Sequence, residues 1–115
     1  MEKKIRVIIK RPDEKYGHTT NISPSLENLQ KHVEGRIEIV PILEDKGLVM
    51  ICNEEGKIQK LQRNFIMGTP PFHDVIVGTV IICGIEGEDL ADVPIGFDTW
   101  KFMINRWNRW LIWEN

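Results

Sequence analysis

A chain of 115 residues, 42% hydrophobic and 28% charged, suits one globular domain that buries its own core, and we expect a single domain over 1–115. Its formal charge of -2 argues against nucleic acid held by overall field, and it is too small for a mimic presenting dense negative charge. No apolar run approaches the ~18 residues that cross a bilayer, and Met1-Glu2-Lys3-Lys4 leads into a short alternating segment rather than a signal-peptide core, so a cytoplasmic protein without a membrane partner is expected.

Residues 5–10 (Ile-Arg-Val-Ile-Ile-Lys) are β-branched and begin by alternating, which predicts a strand with at least one buried face. Pro12 and Asp13 signal a turn, after which 16–22 return as a more polar strand. Ser25 is placed to cap a helix running to about residue 34, with Leu26, Leu29 and Val33 on one face and Gly35 as a left-handed stop. Residues 36–43 alternate again, and Pro41, which cannot donate to a ladder, places its amide at an edge or a bulge. After a turn at 44–47, the apolar run 48–52 suits a strand covered on both faces and completes a hairpin.

Residues 53–56 form a tight turn, and 57–61 are expected to continue as a short strand. From 63 to 74 there is no clear period, and Gly68 with Pro70 and Pro71 predicts the longest irregular loop. Residues 75–83 (Val-Ile-Val-Gly-Thr-Val-Ile-Ile-Cys) carry the strongest strand signal and should lie mid-sheet.

All four tryptophans fall within 100–115, a predicted helix that Asp98 or Thr99 can cap. At about 100° per residue, Trp100, Met103, Ile104, Trp107, Trp110 and Leu111 share an arc of roughly 120°, the width of a core-facing stripe. Phe102, Arg106, Arg109 and Trp113 form a narrower strip on nearly the opposite side. Trp and Arg are enriched at binding hot spots, and arginine stacks on aromatic rings, so this strip is the first candidate for partner contact. The competing explanation buries Phe102 between flanking elements and leaves only a frayed Trp113 outside.

Catalytic motifs are missing: there is no GxSxG, P-loop, HExxH or Rossmann glycine pattern. His73 beside Asp74 could move a proton, yet adjacent residues on an extended chain point to opposite sides. Glu54 and Glu55 could join Glu86, Glu88 or Asp89 around a divalent cation, but without EF-hand spacing these read as solvated turn carboxylates. Cys52 and Cys83 lie in strand-like runs, where free cysteine is a small buried hydrophobe, and lack CxxC spacing for zinc. No enzyme activity, catalytic residue, metal or cofactor is expected.

Several stretches together carry a resemblance: 5–9 (Ile-Arg-Val-Ile-Ile), 25–31 (Ser-Leu-Glu-Asn-Leu-Gln-Lys), Gly35 with Ile37-Glu38, 51–57 (Ile-Cys-Asn-Glu-Glu-Gly-Lys), 74–79 (Asp-Val-Ile-Val-Gly-Thr) and 87–89 (Gly-Glu-Asp). Over about residues 4 to 90 the chain resembles a small uncharacterised family, a domain of unknown function common in phages and conjugative elements of Gram-positive gut bacteria. From Ala91 onward it departs from that pattern. The resemblance implies a compact α+β domain and a mobile-element origin. It brings no activity and no catalytic residues.

The expected architecture is α+β: a mainly antiparallel sheet of four to six strands centred on 75–83, with two helices packed against it, the second a C-terminal Trp-rich amphipathic helix. The expected function is non-enzymatic binding, to a host protein or by self-association as a homodimer, through Phe102, Arg106, Arg109 and Trp113, possible settings including interference with host defence. The alternative is a small-molecule or nucleotide binder, its pocket between the 63–74 loop and the 53–56 turn, with Arg63, Asn64, Thr69 and His73 as polar contacts.

Overall fold

The computed structural model describes residues 3–109. Within them β1 (Ile5–Lys10), β2 (His18–Ile22), β3 (Ile37–Leu43), β4 (Leu48–Asn53), β7 (Val80–Glu86) and β8 (Asp89–Ala91) build a six-stranded sheet in which every pairing is antiparallel. The path runs β2-β1-β7-β4-β3, and β8 joins the end of β7. Helix α1 (Leu26–Val33) covers one face. The other face carries a two-stranded hairpin of β5 (Arg63–Met67) and β6 (Asp74–Val77), together with α2 (Phe97–Asn108).

This three-layer arrangement explains why the central strands are apolar without interruption. Side chains alternate along a strand, so a strand buried on both faces needs apolar residues at every position. In β7, Ile81 and Cys83 enter the α1-side core while Val80 and Ile82 enter the α2-side core. Val49 and Ile51 of β4 likewise face α1, and Leu48 and Met50 face the hairpin. The predicted antiparallel α+β sheet and its two helices are therefore present, with β7 at the middle.

Three of the strand and loop expectations change. The predicted strand 75–83 is divided at Gly78, whose φ of 74° turns the chain out of one sheet into the other. A Cβ there would come 2.8 Å from Leu61 Cδ1, so glycine also permits the close approach of the preceding loop. The 63–74 stretch is no irregular loop, since β5 and β6 pair through Phe65↔Ile76, Ile66↔Val75 and Met67↔Asp74. Alternation is hidden there because consecutive residues Phe65 and Ile66 are both buried. Residues 57–61, expected as a strand, instead make turns: Gln59 N–H donates to Glu55 C=O at 2.9 Å, and Lys60 takes a φ of 58°.

Helix α1 starts as predicted, with Ser25 Oγ accepting from Asn28 N–H at 3.3 Å. Its buried face is Leu29 and Val33, while Leu26 is exposed. The left-handed residue at its end is Glu34 (φ 64°), not Gly35. Gly35 is needed for space instead, since a Cβ would lie 2.7 Å from Asn53 Nδ2. Pro41 sits on the edge strand β3 beside a bulge, where its missing N–H costs nothing. Helix α2 begins after Gly96 with no side-chain cap, so Asp98 and Thr99 lie inside its first turn. Asp98 there still favours the helix dipole. Among the described residues no helix is long and apolar enough to cross a membrane.

Candidate functional site

Helix α2 is attached by its aromatic inner face. Trp100 is fully buried and Ile104 nearly so, with Met103 and Trp107 half-buried beside them. Trp100 meets Phe65 edge-on at 5.9 Å and Trp107 edge-on at 6.0 Å, while Trp107 stacks on Phe65 at 6.3 Å. Such offset and edge contacts suit the ring quadrupoles. The buried indole donates from Nε1 to the Tyr16 carbonyl at 2.8 Å. Trp110 and Leu111, also placed on this stripe by their spacing, lie outside the described residues.

Asn108 makes the second attachment. Its Oδ1 accepts from Ile66 N–H at 2.7 Å and its Nδ2 donates to Ile66 C=O at 3.0 Å, so one side chain pairs with β5 as a neighbouring strand would. Nδ2 also reaches the Ile104 carbonyl at 2.8 Å.

With the inner face engaged, the opposite strip faces outward. Phe102 is 65% exposed, which removes the explanation that flanking elements bury it. Arg106 and Arg109 are exposed as well. Arg106 has no hydrogen-bond or ion-pair partner among the described residues. Trp113, the fourth member, lies outside them.

The second predicted set is dispersed. Arg63 pairs opposite Val77 at the hairpin base, whereas Thr69 and His73 occupy the turn beyond Met67 and are exposed. Four residue steps at ~3.3 Å each separate base from tip by roughly 13 Å, so the set does not converge. Asp74 pairs with Lys57 at 2.5 Å rather than orienting His73. Asn64 works inside the fold: its Nδ2 donates to the carbonyls of Lys10 (2.9 Å) and Gly78 (2.7 Å), and its Oδ1 accepts from Lys10 Nζ at 2.5 Å.

Lys10 is a cation buried on the α2 side of the sheet. Only 2% exposed, its ammonium donates to the Glu14 carbonyl at 2.7 Å and stands 5.4 Å from the centre of the Phe65 ring. Burial lowers its pKa from 10.5 to about 8 against the opposing pull of Glu14 and Asp13. Lys10, Asn64 and Phe65 line a cleft of about 620 Å³ whose α2 wall includes Asn105, Asn108 and Arg109. One member of each predicted set, Arg109 and Asn64, thus meets there.

A smaller cavity of about 290 Å³ lies between β3, β4 and β6, next to the 53–56 turn. This is the place predicted for a ligand pocket, but other residues line it: Glu38, Val40, Met50, Cys52, Glu55 and Asp74 among them. Cys52 and Cys83 are free thiols on opposite faces of the sheet. Burial pushes Cys83 up to about 12 and Cys52 up to about 11, so neither is a ready nucleophile. Among the described residues no three His, Cys, Asp or Glu side chains gather where they could hold a metal ion.

Lys10 and Asn108 were missed in the sequence, although a signal existed for each. Lys10 falls two residues after Ile8, on the inward side of the alternation, and Asn108 falls four after Ile104 on the buried stripe.

Comparison with curated proteins and with solved structures returned no match. A family model described as a domain of unknown function (DUF3846) matches residues 5–99, so the similarity runs on through 91–99 and stops one residue before Trp100. Every strand and α1 fall within that match, and the protein belongs to the DUF3846 family.

Proposed function

We propose that the protein is a non-enzymatic binding module that docks on another protein through the outward face of α2. The observation that carries this reading is Phe102, a large aromatic 65% exposed on a helix whose opposite side, through Trp100 and Ile104, is packed into the core. Arg106, one turn further along and exposed, adds charge that can pair or stack across an interface, and Arg109 lies on the same strip. Phe72, 91% exposed at the hairpin turn, offers a further apolar anchor. The sequence resemblance supports a phage or mobile-element setting in the host cytoplasm, where the partner is a host factor such as a defence or regulatory protein, or a second copy of this chain.

The test compares the wild type with Phe102→Ala/Arg106→Ala. Sedimentation velocity reads self-association, and quantitative affinity capture from host lysate reads a host partner. The variant is expected to lose the association while its melting temperature stays within a few degrees, because both side chains are exposed. Equal association by wild type and variant would overturn the proposal, and so would a monomeric wild type that enriches nothing over the variant.

A further inference from the structure

The 290 Å³ cavity beside the 53–56 turn has a lining that selects by charge. Its volume sits at the small end of the ~300–1,000 Å³ typical of ligand pockets. Val40, Met50 and Ile76 give it an apolar floor. Four carboxylates, Glu38, Glu54, Glu55 and Asp74, stand among its lining residues. Two are already matched: Glu54 by Arg36 at 3.4 Å and Asp74 by Lys57 at 2.5 Å. Glu38 and Glu55 have no ion-pair partner among the described residues, which leaves the rim with an uncompensated negative charge.

The rim is also held in place. Glu38 lies on β3 directly opposite Cys52, and on the same side of the strand as Val40. Glu55 is carried by a turn pinned by the buried Asn53, whose Oδ1 accepts from Glu55 N–H at 2.7 Å and whose Nδ2 donates to Val33 C=O at 3.1 Å. The Cys52 thiol in the wall registers the resulting field. Burial raises its pKa first, Glu38 and Asp74 raise it further, and Lys57 offsets only part.

We propose that this cavity binds a small organic cation, an ammonium or amidinium group on a compact apolar body. The body packs on Val40, Met50 and Ile76 while the cation sits at the mouth between Glu38 and Glu55. An uncharged molecule of the same shape forgoes the ion pairing, and an anion meets two unpaired carboxylates. A bare divalent ion lacks converging ligands there. This site is separate from the outward face of α2, and either can fail without the other.

The probe is phenethylammonium, titrated at low salt into isotope-labelled protein and followed by amide chemical shifts, with phenethyl alcohol and phenylacetate as uncharged and anionic controls. Saturable shifts are expected at residues 38–40, 50–56 and 75–77. Affinity should fall by about tenfold from the ammonium to the alcohol and further to the carboxylate. Glu38→Gln/Glu55→Gln, both at exposed positions, should bring ammonium affinity down to that of the alcohol and leave the alcohol unchanged. The inference is overturned if phenethylammonium gives no saturable shift, if its shifts fall elsewhere, if the alcohol binds as tightly, or if the double variant retains full ammonium affinity.

Discussion

Replacing Asn108 with alanine removes the one side chain that pairs with both backbone groups of Ile66, at 2.7 Å and 3.0 Å. Each hydrogen bond contributes roughly 0.5–1.5 kcal/mol net, and a backbone group left without a partner in a half-buried site adds about 1 kcal/mol. Alanine returns roughly 0.5 kcal/mol through its better helix propensity. The expected loss is therefore about 1.5–2.5 kcal/mol, a sizeable share of the ~5–15 kcal/mol that stabilises a typical domain. Urea unfolding followed by tryptophan emission gives the total. Hydrogen exchange places it, because the Ile66 amide should lose protection beyond its strand neighbours. Asn105→Ala is the control: among the described residues its side chain accepts an exposed bond from the Tyr16 hydroxyl at 2.9 Å, and its loss should cost less than about 0.5 kcal/mol. A loss below 0.5 kcal/mol for Asn108→Ala with unchanged Ile66 exchange would refute the idea that this residue joins helix to hairpin.

Other outcomes follow from the same geometry. Trp100→Phe strands the Tyr16 carbonyl, bonded at 2.8 Å, and leaves a small void, so it should cost about 2–3 kcal/mol by chemical denaturation; a loss under about 1 kcal/mol would contradict the burial. Glu34→Gly relieves a left-handed residue with φ 64° and should gain about 0.5 kcal/mol once the added chain entropy is deducted, read as a higher urea midpoint. Lys10 binds its proton less tightly when folded, at about 8 against 10.5, so the unfolded chain holds more protons between those values. The contribution of Lys10 to stability should therefore rise with pH across that window, by about 1–3 kcal/mol in total, and be constant below it. The thiols of Cys52 and Cys83, raised by burial from 9.0, pull the other way in the upper part of the window. Lys10→Met should make the slope of stability against pH more negative over that window in urea titrations, the thiol terms being common to both proteins, and an identical slope in both would exclude the Lys10 contribution.

How far the candidate sites could be read in advance differs between them. The strip of Phe102, Arg106 and Arg109 needed only the helical period, and its exposure depended on which face the rest of the chain covered. A cavity does lie beside the 53–56 turn, but Arg63, Asn64, Thr69 and His73 are not among the residues that line it. Arg63, Asn64, Thr69 and His73 were grouped by nearness along an assumed loop, and pairing of β5 with β6 moved the tip away from the base. Glu38 reached the cavity from an edge strand that is distant in sequence from Asp74.

Taken alone, the sequence determined what burial patterns and local hydrogen bonds encode: the apolar runs of β1, β4 and β7, the Ser25 cap of α1, the edge position of Pro41 and the two opposed faces of α2. These depend on a residue and its near neighbours, so period and residue type suffice. The tertiary structure decided the rest. It divided 75–83 between two sheets at Gly78, joined Lys10 to Asn64 across 54 positions and Asn108 to Ile66 across 42. A pattern of apolar and polar residues states that a group must be buried or satisfied. It does not name the partner, because the partner is chosen by distance in space, and that distance exists only once the layers have packed.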